Sequence, residues 1–368
     1  MLCRGRAGHG AEVGVNIVII GAGVAGLSIG WRLLQAGASV TILERTQPGM
    51  GATWASAGMI ALAAELEDAS EAEIVFGRKS NLLWQDFAAE LEGLAGGGIG
   101  FSRAGALLLA GDAAELEAMR ARGPVLDGAD ARARVPLLGD GVVGGLWAAD
   151  EARVDNRLLA DALTIAFLKA GGDLRLNEAV IAIEHRGGRA VSVLTGSGRG
   201  RIAADAFVLA AGAWSGLLED VPVTPVKGEM IALEAPAGAR PPEPVVWGAG
   251  VYLVPRGNRL LVGATVQEAG FDTSLSTAAR DHLRGRAESL MPDLRGWRLA
   301  DHWAGLRPRS ADGLPLLGPS RSPNLFVAGG QFRNGILFAP AIADHMAELV
   351  LGKAAVIPDF DPRRFNKE

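Results

Sequence analysis

Four consecutive β-branched apolar residues follow Asn16 in Asn16-Ile-Val-Ile-Ile20, the pattern of a strand buried on both faces. A glycine-rich turn comes next, Gly21-Ala22-Gly23-Val24-Ala25-Gly26, and Leu27 to Gln35 then carries helical spacing, with Gly37 as a C-terminal cap. Ser39-Val-Thr-Ile-Leu43 reads as a second strand that ends on Glu44. Further along, Trp84, Phe87, Leu91 and Leu94 fall at helical spacing and read as core packing. Asp155 is placed to cap a helix running to Ala170, where Gly171-Gly172 stop it, and the alternation over 174–183 returns to strand. The run Arg259 to Thr265 has the character of a sheet interior. Asn324 to Ala328 is strand-like, and after Gly329-Gly330 a helix is expected to start near Gly335-Ile336. There is no internal repeat.

The strand, G-x-G-x-x-G, helix, strand, acidic order is a dinucleotide-binding fingerprint, and each part has a physical role. Gly21 allows the tight turn, Gly23 lets backbone approach a pyrophosphate, and Gly26 lets the helix pack closely on the strand. Glu44 is placed to hydrogen-bond ribose hydroxyls. On this fingerprint alone NAD and FAD both stay open. The small-residue segment around Ser56-Ala57-Gly58-Met59 suits contact with a flat ring system, and it suits an ordinary flexible loop equally well.

Composition narrows the setting. At 368 residues the chain exceeds what one core normally supports, so two domains are expected. Net charge is −5 and there is no basic block, which argues against a nucleic-acid partner. The single cysteine, Cys3, excludes an internal disulfide framework and a multi-cysteine metal site, and a reducing cytoplasm is the natural setting. No metal is expected. Residues 1–13 read as a disordered leader or an over-long start, without the apolar region of a secretory signal. The uncharged stretch from Thr46 to Ala64 is broken by Pro48, Gly49, Gly51 and Gly58, so no membrane span is expected.

Two later segments point to a family. Ala304-Gly-Leu-Arg307-Pro308 with Asp312-Gly-Leu-Pro315-Leu-Leu-Gly318, and Gly329-Gly-Gln-Phe-Arg333-Asn-Gly-Ile-Leu-Phe-Ala-Pro340, stand beside the fingerprint, Val208-Leu-Ala-Ala211-Gly212-Ala-Trp214 and Tyr252-Leu-Val-Pro255. Together they resemble the FAD-dependent D-amino-acid-oxidase-like family, and within it the glycine oxidase group of thiamine biosynthesis. The likeness runs from about residue 16 to 352. It implies an α/β fold: a Rossmann-like FAD-binding domain (14–90, 148–222 and 300–368) and a second, discontinuous antiparallel-sheet, α+β substrate-binding domain (91–147 and 223–299).

The resemblance also implies a chemistry. The flavin carries the redox step, so the protein must fix a carboxylate, accept from an amine and stabilise the reduced flavin. Arg307 is expected to form the carboxylate fork, with a structural salt bridge to Asp312 as the alternative. Tyr252, the chain's one tyrosine, would complete the clamp, or else be a core tyrosine with its hydroxyl at the surface. Arg333 would lie in the cavity roof and add positive potential, or else be a solvated loop arginine. Asn334, Gly335, Ile336 and Leu337 would meet the flavin at the following helix start. Arg45 and Ser56 through Met59 would line the ribityl chain and ring. Val180 would meet the adenine by its backbone, and Ala211, Gly212 and Trp214 would close the pyrophosphate side.

With only Cys3 available, FAD is expected to be non-covalent. Val266 stands where the resemblance leads one to expect methionine, which leaves the order of glycine, sarcosine and D-alanine open. The implied reaction takes a small amino acid and O2 to an imine and H2O2. A hand-off to thiazole synthase and a homo-oligomer, dimer or tetramer, go with it. Rival readings are a dehydrogenase passing electrons to a quinone or another acceptor, a tRNA-modifying FAD demethylase module, and a non-catalytic flavin scaffold.

Overall fold

The computed structural model describes residues 14–66, 69–198 and 200–365. The expected leader, with Cys3, lies outside the described residues. The first fingerprint strand, Asn16–Ile20, sits inside a six-stranded sheet ordered Leu316–Pro319, Leu325–Gly329, Ala206–Leu209, Asn16–Ile20, Ser39–Leu43, Asp173–Arg175. All neighbours are parallel except the outer pair Leu316–Pro319 and Leu325–Gly329.

The lack of polar alternation in Asn16–Ile20 has a direct cause. Ile17 and Ile19 pack into a helical layer built on Val24–Gln35, Glu71–Ala95, Asn156–Lys169 and Ala339–Val350, while Val18 and Ile20 pack against a smaller apolar layer on the other face. That second face is covered by a three-stranded sheet of Val180–Arg186, Arg189–Thr195 and Arg201–Ala203, which contributes Ile183 and Val193.

Helix boundaries follow local chemistry. Ser70 and Glu73 form a reciprocal capping box at the start of Glu71–Ala95, and left-handed Gly96 ends it. Asp155 caps Asn156–Lys169, accepting from the N–H groups of Arg157 and Leu158. The alternation over 174–183 is interrupted: Asp173–Arg175 and Val180–Arg186 are separate strands, divided by a turn with Asn177 at φ 57. The expected helix start near Gly335 also moves. Residues 331–338 form successive turns, and the helix begins at Ala339 with Pro340 in its first turn, where a missing N–H costs nothing.

An eight-stranded sheet makes the other half, ordered Arg298–Ser310, Val223–Glu234, Arg259–Gly263, Val251–Arg256, Val245–Gly248, Ala106–Leu109, Gly144–Ala148, Val125–Asp127. It is antiparallel except where Val245–Gly248 meets Ala106–Leu109 in parallel. There the two chain segments that build the sheet join edge to edge. Period-two alternation sorts its side chains: Ile231 and Leu233 pack under the helix Thr277–Leu290, while Met230 and Ala232 face the opposite way, toward Ala57 and Trp303. The strand Arg298–Ser310 runs past the boundary expected at residue 300 and pairs with Val223–Glu234 throughout, from Glu234 opposite Arg298 to Val223 opposite Ser310.

Gly26 explains the packing of the first helix on its strand. A Cβ there would lie 2.0 Å from the Gly21 carbonyl oxygen and 3.3 Å from the Ile19 side chain. Gly26→Ala is expected to lower stability by about 2 kcal/mol or more, through backbone displacement in a packed layer. Thermal unfolding checks this, and an unchanged melting temperature would contradict it.

Candidate active site

The two sheets face each other across a cavity of about 410 Å³. At one end the glycine turn supplies Gly21, Gly23, Val24 and Ala25. Gly23 has no capping side chain, so the 12-residue helix Val24–Gln35 opens toward the cavity, although the Val24 N–H is already taken by Thr53 Oγ1 at 3.0 Å. Ala22 and Gly26 are not in the lining; they act behind it. Glu44 accepts from the Ala22 N–H at 2.9 Å and from the Thr46 N–H at 3.0 Å, which ties the glycine turn to the end of the second strand. Arg45 lies 3.5 Å over the Trp214 ring, and both line the cavity with Val180, Ala211 and Gly212.

Ser56, Ala57, Gly58 and Met59 form one wall. Their path is held from outside, since Asn156 Nδ2 donates to the carbonyls of Thr53 at 2.6 Å and Trp54 at 2.9 Å. Gly58 has φ 80, and a Cβ there would meet the Val154 carbonyl at 1.9 Å. Arg333, Asn334, Gly335, Ile336 and Leu337 line the opposite wall, from a turn segment and not from a helix start. Asn334 Oδ1 and Gln331 Nε2 are buried there without a hydrogen-bond partner. A polar planar ring would satisfy such orphaned groups, so the glycine turn, the open helix end and these two amides fit FAD.

The other end brings Arg307 and Tyr252 together. The Arg307 guanidinium lies against the Gly228 backbone, where a Cβ would approach Nη1 within 2.2 Å, and Nη1 donates to the Thr265 carbonyl at 3.1 Å. Among the described residues no carboxylate ion-pairs with it. Asp312, the alternative partner, is bound instead by Arg364 at 2.8 Å. Tyr252 lies over Gly263, its ring 5.0 Å from Trp247, and its hydroxyl reaches Met230 Sδ at 3.7 Å. Burial pushes its phenol up, and the Arg307 charge pulls it back.

Arg333 departs from expectation. Its Nε lies 2.8 Å from Glu65, a carboxylate whose side chain is only 6% exposed, so its charge is largely countered before any ligand arrives. Burial raises the Glu65 carboxyl, against the pull of Arg333 and then Arg307. Val266 also departs: it is 57% exposed and outside the lining, whereas Met230 is in it.

Comparison with known proteins decides the family. A family described as FAD dependent oxidoreductase (DAO) matches residues 16–349. The chain belongs to that family. Its similarity extends to the glycine oxidase of Pseudomonas aeruginosa, 34% identical over 93% of this chain and 96% of that one. It is also 41% identical to the bifunctional protein ThiO/ThiG of Synechocystis over 65% of this chain and 37% of that protein. Across three such bifunctional relatives it spans 37% to 55% of their length. Among solved structures, the glycine oxidase from Geobacillus kaustophilus superimposes with a TM-score of 0.88 at 32% identity, over 95% of this chain and 99% of that chain.

Sequence reasoning about this oxidoreductase missed Thr53, Glu65 and Gln331. Gln331 was within reach, two residues before Arg333 in the same motif. Glu65 was not, because the acid that ends an uncharged stretch has no visible link to an arginine so far along the chain. Glu151 was missed too. It is buried, and its Oε1 accepts from the Leu62 and Ala63 N–H groups at 2.7 and 2.5 Å, holding the segment that carries Glu65. With both N–H groups on one oxygen, the other can carry a proton, and burial raises this carboxyl to about 7. The folded state then binds more protons than the unfolded one between the ordinary glutamate value of 4.5 and about 7. That contribution to stability is complete below pH 4.5 and is lost as pH rises through about 7. It amounts to about 3 kcal/mol at most. Glu151→Gln is expected to flatten the stability profile across this window, measured by denaturant unfolding of the FAD-loaded protein; an unaltered slope would contradict it.

Proposed function

We propose that this chain oxidises glycine, and small amines of the same charge pattern such as sarcosine and D-alanine. The amino acid loses two electrons and two protons to become the imine, O2 takes them up as H2O2, and water hydrolyses the imine to the 2-oxo acid with ammonia, or with methylamine where sarcosine is the substrate. The observation that carries this reading is an arginine without a carboxylate partner, Arg307, facing the same cavity as the glycine turn. A guanidinium matches a carboxylate bidentately, and two N–H donors for the carboxylate with the one on Thr265 use three of its five.

When bound, FAD supplies the two-electron acceptor. The protein's own part is orientation. Arg307 holds the carboxylate at one end and the Tyr252 hydroxyl donates beside it. Carbonyls in the Gln331–Asn334 turn accept from the amine, which must be neutral to release electrons. Tyr252 suits this role because burial keeps its hydroxyl protonated as a donor. Met230, Ala57 and Tyr252 pack together where the two sheets meet, which suits a very small substrate. No histidine lines the described cavity, and the reaction as written calls for no base at Cα.

The same reading takes 14–90, 148–222 and 311–368 as the cofactor-binding part and 91–147 with 223–310 as the substrate-binding part. It places the enzyme in the cytoplasm as a dimer or tetramer, with the imine handed to a thiazole synthase. Support for that hand-off is the ThiO/ThiG naming of relatives. None of the helices among the described residues is long and apolar enough to cross a membrane.

Aerobic glycine should yield one H2O2 per imine formed, and anaerobic glycine should bleach the flavin absorbance. Arg307→Ala is expected to raise KM for glycine a hundredfold or more, the loss of a charge-assisted pair, with the flavin spectrum retained. An unchanged KM would remove the clamp.

A further inference from the structure

Behind Arg307, on the far face of the neighbouring strand, lies a buried charged cluster that the proposed chemistry does not use. Along Val223–Glu234, Gly228 faces the guanidinium, so Lys227 and Glu229 point the other way. Lys227 is 3% exposed and Glu229 is fully buried. Glu229 Oε2 accepts from the Ser276 N–H at 2.9 Å and lies 2.9 Å from His302 Nε2; Oε1 has no hydrogen-bond partner and stands 3.7 Å from Lys227 Nζ. Lys227 Nζ donates to Asp272 at 3.1 Å, and Ser274 with Lys227 holds that carboxyl down at about 2.

Apart from His302, which lies on Arg298–Ser310, the partners Asp272, Ser274 and Ser276 sit on one segment, 264–276, and that segment holds Arg307. Thr265 gives its carbonyl to Arg307, its N–H to the Glu229 carbonyl at 3.2 Å, and its hydroxyl oxygen to the Glu229 N–H at 2.9 Å. Gln267 pairs with Lys227 in both directions at 2.9 Å. Further on, Phe271 packs on Trp214 at 5.7 Å. Burying a carboxylate and an ammonium costs more than apolar residues of the same volume would, and such clusters can be kept for geometric specificity.

We infer that Glu229 is a positioning residue for substrate binding: it clamps segment 264–276 so that the Thr265 carbonyl holds Arg307 in the orientation that receives a carboxylate. This rests on the reading of Arg307 given above. The Glu229 side chain is outside the cavity lining; its carboxylate meets the segment at the Ser276 N–H, while its backbone bonds Thr265, so it acts through the segment and Arg307.

The test uses the FAD-loaded protein and acetate as a non-reacting carboxylate, with binding read from the change in flavin absorbance. Glu229→Gln should raise the acetate Kd and the glycine KM about tenfold each, with kcat changed less than threefold and full FAD content. In an Arg307→Ala background, Glu229→Gln should add nothing further, because its effect passes through the missing guanidinium. An unchanged Kd, or an equal loss in both backgrounds, overturns the inference. Should Glu229→Gln fail to fold, Asp272→Asn decides: it alters a half-exposed partner of Lys227, and should raise the acetate Kd about threefold, an unchanged value again overturning the inference. If Arg307→Ala by itself leaves acetate binding intact, the clamp reading has failed, a result separate from either Glu229 outcome.

Discussion

The close approach of one strand pair to one small-residue segment is the constraint on which this molecule turns. Arg298–Ser310 and Val223–Glu234 pair along their whole length, and Gly305 stands opposite Gly228 in that register. A Cβ at Gly305 would lie 2.3 Å from Ala55, and one at Gly228 would displace the Arg307 guanidinium. Both glycines therefore let a sheet backbone press against material that has to be close. At Gly305 this is the segment leading to Gly58, and at Gly228 it is a charged side chain. Space for a thin, flat cofactor with a small molecule beside it arises because bulk is absent from these walls.

Electrostatics within that space are unequal by construction. Three arginines line the cavity: Arg45 lies over Trp214, Arg333 meets the acid Glu65, and Arg307 stands at the Tyr252 end. Arg307 bonds the Thr265 carbonyl, lies on the Gly228 backbone and has Tyr252 beside it, with no carboxylate ion-paired to it among the described residues. A guanidinium in a low-dielectric wall, with its fork facing open space, is a strong receptor for one anion. The pairing of Arg333 with Glu65 leaves Arg307 as the arginine without a carboxylate partner at the Tyr252 end of the cavity, among the described residues.

Much of this was legible in the linear chain. The first forty residues of fold, the Asp155 cap, the helix over Trp84 and Leu91, and the cofactor end of the cavity all depend on short-range rules: buried strands are apolar, turns need glycine, helices need caps. The arginine of Gly-Leu-Arg307-Pro308 and the lone Tyr252 came from the family resemblance, and they do meet in one cavity. Five expectations shifted, among them the alternation over 174–183, which breaks at a turn with Asn177, and Arg333, which meets Glu65. The helix after Gly330 starts late because Pro340 suits a first turn, the strand after residue 300 stays in the larger sheet because its partner continues to Val223, and Val266 faces outward.

What the sequence by itself determined was the set of local structures and the kind of cofactor loop, because those follow from neighbours a few residues apart. Which charges meet was decided only by the tertiary structure. Glu65 with Arg333, Glu151 under the Leu62 N–H, Glu229 with His302, and Asp312 with Arg364 are all joined across different elements. Pairing between distant ions depends on strand register and on which face each side chain takes, and both are set by packing the two sheets against one another.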